Sequence, residues 1–225
     1  LVSISPIGTA QEKAFKSLEA NKNLFLTGSA GTGKTFILLY WALKEVLDKA
    51  SPYEKVIIVR SLLPSRDIGF LPGTLEEKSN LYQDPYRILV RYLFEMPSEQ
   101  AFTDLYDKLH AQGSLEFYST SFLRGQTFDR SIIIVDESEN LLFQELDTIM
   151  TRVGQDSKIH FSGDPTQTDL RKHNCDRDGY HNFQVIVDTM DEFEVVEFDI
   201  GDIIRSGLVR SYLIAKHNIG LQDQS

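Results

Sequence analysis

The feature that most constrains the fold of this chain is a glycine-rich octapeptide, GSAGTGKT, which fits the pattern G-x-x-x-x-G-K-[ST] in full. Residues 23–27 before it are predicted to form a short buried strand, and the apolar residues after it predict a helix that ends near Lys49. A strand, a glycine loop and a helix in this order form a phosphate-binding site, because the loop presents backbone N–H groups at the positive end of the helix dipole. The alternative is an ordinary glycine turn before a helix.

The last two residues of this loop carry specific chemistry. We expect Lys34 to contact the β- and γ-phosphates of a nucleotide, and we expect the Thr35 hydroxyl to hold Mg²⁺. The residues predicted to bind the nucleotide are Gly28, Ser29, Ala30, Gly31, Thr32, Gly33, Lys34 and Thr35.

A second motif is an apolar strand, residues 131–135, that ends in two carboxylates. Asp136 is expected to anchor the Mg²⁺ shell from the tip of the strand. Glu137 is expected to polarise the attacking water as a general base, a group that separates hydrolysing P-loop proteins from many kinases. The alternative for Glu137 is an acid favoured by the dipole at the start of a helix.

A third motif is a polar turn, SGDPTQ, that follows the strand predicted over residues 158–162. A glutamine at such a place can hydrogen-bond both the γ-phosphate and the attacking water. Gln167 is therefore predicted to sense the state of the nucleotide. Its alternative is a turn residue exposed to solvent.

The remaining patterns predict one α/β domain over residues 1–225. Further strands are predicted at residues 55–60, 115–118 and 194–198, and helices at residues 9–20, where Thr9 and Glu12 have capping-box spacing, and at 141–151. Strands that alternate with helices indicate a mainly parallel sheet. Residues 61–112 are predicted to be a partly helical insertion, with helical segments at 86–94 and 100–110.

Composition limits the kinds of partner and compartment. The net charge of −10 means that any nucleic acid must meet a local basic strip or a channel in an oligomer. The single cysteine, Cys175, excludes an internal disulfide and a cysteine-rich zinc module, and no apolar run reaches the roughly 18 residues of a membrane span. We therefore expect a cytoplasmic protein that does not enter a membrane.

Two clusters of chemically capable side chains are interpreted as structural. His173, Cys175 and His181 do not match the spacing of a zinc motif and are predicted to lie in an exposed loop. Four aromatic residues have helical spacing and apolar neighbours, which favours core packing over base stacking. They are Tyr82, Tyr86, Tyr92 and Phe94.

Over nearly its whole length, the chain resembles the PhoH-like P-loop ATPases, relatives of the first RecA-like domain of superfamily-one helicases. The resemblance rests most on two discriminating segments, GFLPG at 69–73 and TRVG at 151–154. The other matching segments are Gln11, GSAGTGKT at 28–35, Glu77 with Lys78, FLRG at 122–125, IIIVDESEN at 132–140, SGD at 162–164 with Gln167, DIIR at 202–205 and LVR at 208–210.

The resemblance implies a RecA-like P-loop NTPase fold and favours ATP as the nucleotide, with Gln11 reading adenine. The alternative for Gln11 is an exposed residue in the first turn of a helix. The resemblance also offers Arg205, Arg152 and Arg124 as candidates for the cation that stabilises the transferring phosphate, supplied by the same chain or by a neighbouring one, with Arg205 first. Each of these arginines could equally be an ordinary surface residue or part of an ion pair.

The resemblance further implies a homo-oligomer, a hexameric ring in which each subunit completes the site of its neighbour. Basic residues would then line a pore for single-stranded RNA or DNA. The candidates are Arg60, Arg66, Lys78 and Arg87.

The predicted function is Mg²⁺-dependent ATP hydrolysis coupled to single-stranded RNA or DNA. The alternative output is a regulatory or assembly module in which ATP sets the oligomeric state and a protein partner reads it. A third candidate is a small-molecule kinase, which Glu137 and Gln167 both disfavour.

Overall fold

A computed structural model describes residues 1–61, 75–120, 123, 125–167, 174–204 and 207–218. The strands are β1 (Asn23–Gly28), β2 (Lys55–Arg60), β3 (Leu115–Ser119), β4 (Ser131–Val135), β5 (Lys158–Gly163) and β6 (Phe193–Phe198). The helices are α1 (Thr9–Glu19), α2 (Lys34–Leu47), α3 (Leu75–Phe94), α4 (Glu99–Ala111), α5 (Phe143–Met150), α6 (Asn174–Asp188) and α7 (Gly207–Asn218).

The six strands form one parallel sheet in the order β3-β2-β4-β5-β1-β6. Because β5 lies between β1 and β4, the loops that follow these three strands meet at the carboxyl edge of the sheet. Ligands of open α/β sheets bind at this edge. The predicted α/β fold is confirmed.

Alternate residues of the strands pack into two separate hydrophobic clusters, one on each face of the sheet. Leu24, Ile58 and Ile134 point to the face covered by α1, α2, α3 and α4. Phe25 and Ile133 point to the face that packs against α5 and α6. Burial on both sides explains why the central strands are continuously apolar in sequence.

Most predicted elements agree with the structure to within a few residues, but α3 begins at Leu75, well before the predicted segment 86–94, and two further predictions are corrected. The capping box at Thr9 is wrong: Gly8 is the N-cap of α1, with φ 89°, and no side chain caps the helix. The loop predicted around Cys175 and His181 is also wrong, because both lie in α6. Neither α6 nor α7 was predicted.

The predicted insertion contains α3 and α4, and residues 62–74 of it lie outside the described parts of the chain. Helix α3 packs against α2 and α4, and α4 packs against β3. The insertion therefore continues the layer that covers the α2 face of the sheet. The organisation of residues 1–225 as one domain with an insertion stays a prediction. Within the described ranges, no helix is both long and apolar enough to cross a bilayer.

Candidate nucleotide-binding site

The loop between β1 and α2 has a backbone that only glycine adopts easily. Gly28 has φ 114°, and a Cβ atom there would lie 2.0 Å from the carbonyl oxygen of Phe198 on β6. Gly33 has φ 86° and is the N-cap of α2, where a Cβ atom would lie 2.9 Å from the Ile204 side chain. The loop is thus held between β6 and the chain that follows it, and its glycines are required by close packing as well as by phosphate chemistry.

Lys34 lies folded over the loop. Its Nζ donates to the carbonyl oxygens of Gly28 and Ser29, both at 2.8 Å, and the residue is only 8% exposed. Burial lowers the pKa of Lys34, while the charges of Asp164, Glu139 and Asp136 act in the opposite direction. A phosphate group can replace the two carbonyl acceptors and supply the negative charge that this buried ammonium lacks.

Thr35 and Asp136 are in direct contact, although 101 residues separate them in sequence. The Thr35 hydroxyl donates to Asp136 Oδ1 at 2.8 Å, and it lies 3.3 Å from the Ser162 hydroxyl. A hydroxyl and a carboxylate at the end of a phosphate-binding loop are the oxygen ligands that Mg²⁺ prefers. These residues therefore fit a magnesium ion bound together with a nucleotide.

Tyr86 of α3 reaches the other oxygen of the same carboxylate. Its hydroxyl donates to Asp136 Oδ2 at 2.8 Å, and its ring packs against Phe117 with centroids 5.5 Å apart. Burial, together with the Asp136 charge, raises the pKa of Tyr86 well above its ordinary value. Its helical spacing predicts that Tyr86 lies in the core; the ring does, but the hydroxyl lies at the site. The available signal was the hydroxyl itself, since a buried tyrosine usually finds a polar partner.

Glu137 is paired with Arg60 at the end of β2. Arg60 Nε donates to Glu137 Oε2 at 2.9 Å, and Arg60 Nη2 donates to Oε1. Glu137 has φ 49° and precedes the short 3₁₀ helix Ser138–Asn140, but its side chain does not cap that helix. Glu137 is the N-cap residue of this helix, so the helix-start alternative stays open, and the role of general base stays a prediction.

Glu139 is a third carboxyl group at this edge, and the sequence analysis gave it no role of its own. The residue is 5% exposed, and burial raises the pKa of Glu139 to about 8, against the effect of backbone N–H donors. A Cβ atom at Gly163 would lie 2.8 Å from Glu139 Oε2, so the carboxyl lies against the end of β5. Its charge changes close to neutral pH, within the electrostatic reach of Lys34.

Gln167 lies at the same edge, in the 3₁₀ helix Pro165–Gln167 that packs against β1. The turn is fixed by Asp164, whose Oδ1 accepts from the Thr166 backbone N–H at 3.0 Å and from the Thr166 hydroxyl at 2.6 Å. The Gln167 residue is exposed. This exposure is compatible with a turn residue and with a sensor that contacts a bound nucleotide, so the sensor role stays a prediction.

Gln11 is buried beside the loop, which contradicts the alternative of an exposed helix residue. It is 4% exposed, its Oε1 accepts from the Ile7 N–H at 2.8 Å, and its Nε2 donates to the Thr32 carbonyl at 3.0 Å. One N–H and one lone pair of the carboxamide remain for another group. Gln11 thus supports the loop directly, and reading of adenine stays a prediction.

Of the three arginine candidates, the structure describes only Arg152. Arg205 and Arg124 lie outside the described residues. Arg152 follows α5 and contacts the carbonyl oxygens of Thr148 and Gln126, at 3.4 Å each. Because α5 leads back to the start of β5, Arg152 lies at the amino edge of the sheet, opposite the loop. The suggestion that Arg152 acts on its own chain's nucleotide is therefore wrong.

The TRVG segment at residues 151–154, on which the resemblance partly rests, lies at this amino edge of the sheet. Packing there explains why residue 154 is a glycine. A Cβ atom at Gly154 would lie 2.1 Å from Asp129 Oδ1 and 2.7 Å from the Phe128 carbonyl oxygen. The Gly154 N–H donates to the same Phe128 carbonyl at 2.9 Å. The glycine therefore allows two loops to touch before β4 and β5 begin.

Two of the four basic residues proposed to line a pore are engaged inside the chain. Arg60 pairs with Glu137, and the Arg87 guanidinium lies over the rings of Phe102 and Tyr106. The structure does not describe Arg66 or the side chain of Lys78.

The structure describes three of the four aromatic side chains that were predicted to pack in the core, and only some of them lie there. Tyr92 is 68% exposed, with its ring edge against Phe36, so its assignment to the core is wrong. Phe94 packs against the core, as predicted, and the Tyr82 side chain is not described. Among the described residues, no group of three or more histidine, cysteine or acidic side chains could hold a metal on its own.

The profile of the family described as "PhoH-like protein" matches residues 3–216. The chain belongs to the PhoH-like family. A PhoH-like protein of Mycobacterium leprae is 30% identical, with 97% of this chain and 61% of the relative covered. Protein PhoH of Escherichia coli K12 is 31% identical, with 92% and 56% covered. The chain therefore spans somewhat more than half the length of these relatives.

Solved Pif1 structures match this PhoH-like chain at low similarity. Unliganded Pif1 from Bacteroides sp. is 17% identical with a TM-score of 0.43, over 96% of this chain and 46% of that one. Bacteroides Pif1 in complex with ADP-AlF3 and ssDNA is 14% identical with a TM-score of 0.36, over 98% and 51%. The assignment of a nucleotide-binding site rests instead on the family and on the chain's own loop geometry.

Proposed function

We propose that this PhoH-like domain binds Mg–ATP and hydrolyses it. The observation that carries the proposal is the hydrogen bond between the Thr35 hydroxyl and Asp136 Oδ1 at 2.8 Å, with Glu137 as the next residue. It brings a phosphate-binding loop, two oxygen ligands for a metal and a carboxylate to one edge of the sheet. Each of these parts is needed for hydrolysis of a phosphoanhydride, in which positioning and charge stabilisation supply most of the catalysis.

Different side chains of the domain bind the phosphates, hold the metal and accept a proton. Lys34 leaves the carbonyl oxygens of Gly28 and Ser29 and binds the phosphates, while Thr35 and Asp136 hold the metal. A metal held by these two residues would supply positive charge that neutralises the phosphate oxygens. Glu137 accepts a proton from the attacking water, and its pair with Arg60 opposes this step because the guanidinium stabilises the charged carboxylate.

Adenine recognition and the completing cation extend this proposal. Gln11 is the candidate for reading the base, because its carboxamide lies against the loop with hydrogen-bonding capacity left over. Of the arginine side chains that the structure describes, Arg60 pairs with Glu137, Arg152 lies at the opposite edge, and Arg210 donates to the Gly201 carbonyl oxygen. We therefore propose that Arg205, or an arginine from a neighbouring subunit of a ring, stabilises the transferring phosphate.

We propose single-stranded RNA or DNA as the polymer whose binding is coupled to hydrolysis. The basis is the family's relationship to superfamily-one helicases together with the placement of Arg60. A strand phosphate can compete with the Glu137 carboxylate for the Arg60 guanidinium, because both anions accept two parallel hydrogen bonds from it. Such competition would release the general base when a strand binds.

The test is ATP turnover with and without single-stranded RNA and DNA, at low and at physiological salt. Stimulation by a strand that weakens as salt increases supports the coupled function, since phosphate contacts release counterions. Turnover that neither strand changes would contradict the coupling. It would leave the hydrolysis proposal in place.

A regulatory module is the second candidate, and the net charge of −10 favours it. An acidic surface opposes binding of a polyanion and suits a protein partner. In this case ATP would change the oligomeric state and strands would have no effect. Light scattering of the protein with and without Mg–ATP distinguishes the two candidates, because an unchanged mass contradicts the module.

A further inference from the structure

We propose that Tyr86 is a positioning residue for the metal of this site, acting through the Asp136 carboxylate. The proposal rests on the Mg–ATP function above and assigns a part of that site to the helical insertion. Each carboxylate oxygen of Asp136 accepts one hydrogen bond: Oδ1 accepts from the Thr35 hydroxyl and Oδ2 from the Tyr86 hydroxyl, both at 2.8 Å. The carboxylate is therefore fixed at both oxygens.

The Tyr86 ring is buried and tightly packed. The residue is 2% exposed, and its ring lies 5.5 Å from the Phe117 ring, between centroids. Val90 and Leu93 of the same helix are fully buried in the same hydrophobic cluster. Because this packing holds the ring in place, its hydroxyl stays within hydrogen-bond distance of Asp136.

The contact leaves the metal-binding capacity of the carboxylate in place. A carboxylate oxygen has two lone pairs, so one hydrogen bond from Tyr86 leaves Oδ2 able to accept another. The hydroxyl donates without adding a charge, so Asp136 stays an anion with a set orientation. Outer partners of this kind orient the groups that hold a metal, and losing one typically costs about 10–100-fold in metal affinity.

The contact also explains why a long tyrosine is found where an apolar residue would fill the core. A phenylalanine would pack equally well against Phe117 but would leave Asp136 Oδ2, in a residue that is 9% exposed, without this donor. The hydroxyl therefore serves Asp136 rather than the packing of the helix.

The experiment compares the wild type with Tyr86→Phe, which removes one oxygen atom and keeps the ring. The readout is binding of Mn²⁺ to the protein–ADP complex, measured by electron paramagnetic resonance. We expect the Mn²⁺ dissociation constant to rise about tenfold. The affinity for ADP in excess EDTA should stay within about twofold, because no metal takes part there.

The matched control is Tyr106→Phe. Tyr106 is also buried, 5% exposed, and its hydroxyl has no hydrogen-bond partner among the described residues. Its removal makes the same chemical change in the neighbouring helix α4 without touching Asp136. Mn²⁺ affinity should not change, and melting temperatures of both variants should show that they are folded.

A double-mutant cycle with Asp136→Asn gives an independent readout. If Tyr86 acts through Asp136, then Tyr86→Phe should weaken Mn²⁺ binding far less in the Asp136→Asn background than in the wild type. Equal effects in both backgrounds would overturn the proposal. So would unchanged or tighter Mn²⁺ binding in the single variant.

The result for the wild type separates this inference from the proposed function. If the wild-type protein–ADP complex binds no Mn²⁺, the Mg–ATP function and the role of Tyr86 fail together. If it binds Mn²⁺ and Tyr86→Phe binds it equally well, only the role of Tyr86 fails.

Discussion

Arg60 and Glu137 are joined by two hydrogen bonds, from the guanidinium Nε and Nη2 to the two carboxylate oxygens. The candidate general base is therefore held by a cation at the end of β2, the strand that leads into the predicted insertion. A carboxylate that accepts two charge-assisted bonds is a weaker base than a carboxylate in water. Release of this pair is the natural control point for hydrolysis.

Replacing Arg60 should raise turnover in the absence of any strand. In Arg60→Gln, Glu137 loses the two hydrogen bonds from the guanidinium, so its carboxylate accepts a proton from the water more readily. The pair is partly exposed, with side-chain exposures of 24% and 41%, and such pairs contribute about 0.2–1 kcal/mol. We expect basal ATP turnover to increase by at most about fivefold, and stimulation by a strand to decrease.

Arg87→Gln is the control for this measurement, because Arg87 contacts Phe102, Tyr106 and the Thr103 hydroxyl and has no contact with Glu137. Its basal turnover should match that of the wild type. Lower turnover in Arg60→Gln than in Arg87→Gln would show that Arg60 assists the reaction. It would refute the claim that pairing with Arg60 makes Glu137 a weaker base.

Gln11→Ala separates adenine recognition from support of the loop. Gln11 holds Thr32 through its Nε2, so both ATP and GTP affinities should fall when it is removed. If Gln11 also reads adenine, the affinity for ATP should fall more than the affinity for GTP. Equal losses, measured by competition with a fluorescent nucleotide, would leave Gln11 with a supporting role alone.

Gly154→Ala tests the view that the TRVG segment is structural. The added methyl group would collide with Asp129 Oδ1 and the Phe128 carbonyl at the amino edge of the sheet. We expect the free energy of unfolding to fall by about 1–3 kcal/mol, the usual cost of overpacking, with unchanged nucleotide affinity. Lost affinity in a variant of normal stability would instead indicate a direct part in the site.

His160 predicts a pH dependence of stability that is separate from the nucleotide site. Its Nδ1 accepts from the Leu24 N–H at 3.0 Å, and burial lowers the pKa of His160 from 6.5 to about 3, with Lys158 adding to the effect. Below about pH 6.5, His160 therefore binds a proton in the unfolded chain but not in the folded chain. The free energy of unfolding falls as the pH falls.

The measurement is urea unfolding of the wild type and of His160→Asn at pH 7 and pH 5. Asparagine can keep an acceptor for the Leu24 N–H but cannot titrate. The wild type should lose about 2 kcal/mol more than the variant over this range. Parallel losses in the two proteins would mean that His160 is not the titrating group.

Local patterns predicted most of the fold, the glycine loop and the acidic pair, because the residues of each strand, loop or pair are adjacent in sequence. The partners of the acids could not be predicted in this way. Tyr86 lies 50 residues from Asp136, and Arg60 lies 77 residues from Glu137, so only the packing of α3 and the register of β2 bring them together. A hydrophobic period signals that a residue is buried, but it does not identify the atom that its hydroxyl or guanidinium meets.

Helix α6 was missed for a different reason. Its buried face, Tyr180, Phe183 and Val187, has helical spacing, but the polar residues around Cys175 drew the interpretation toward a loop. The helical spacing of the apolar residues in the second half of α6 was a better guide to its structure than the polar composition of its first half.

The central claim is that Glu137 activates water in a site that Lys34 and Thr35 build for Mg–ATP. The most direct measurement is binding and turnover of ATP by Glu137→Gln, beside Lys34→Ala. We predict that Glu137→Gln binds Mg–ATP with wild-type affinity and loses nearly all turnover, since the carboxylate acts mainly in the transition state, whereas Lys34→Ala weakens binding itself. Turnover of Glu137→Gln equal to that of the wild type would contradict the account.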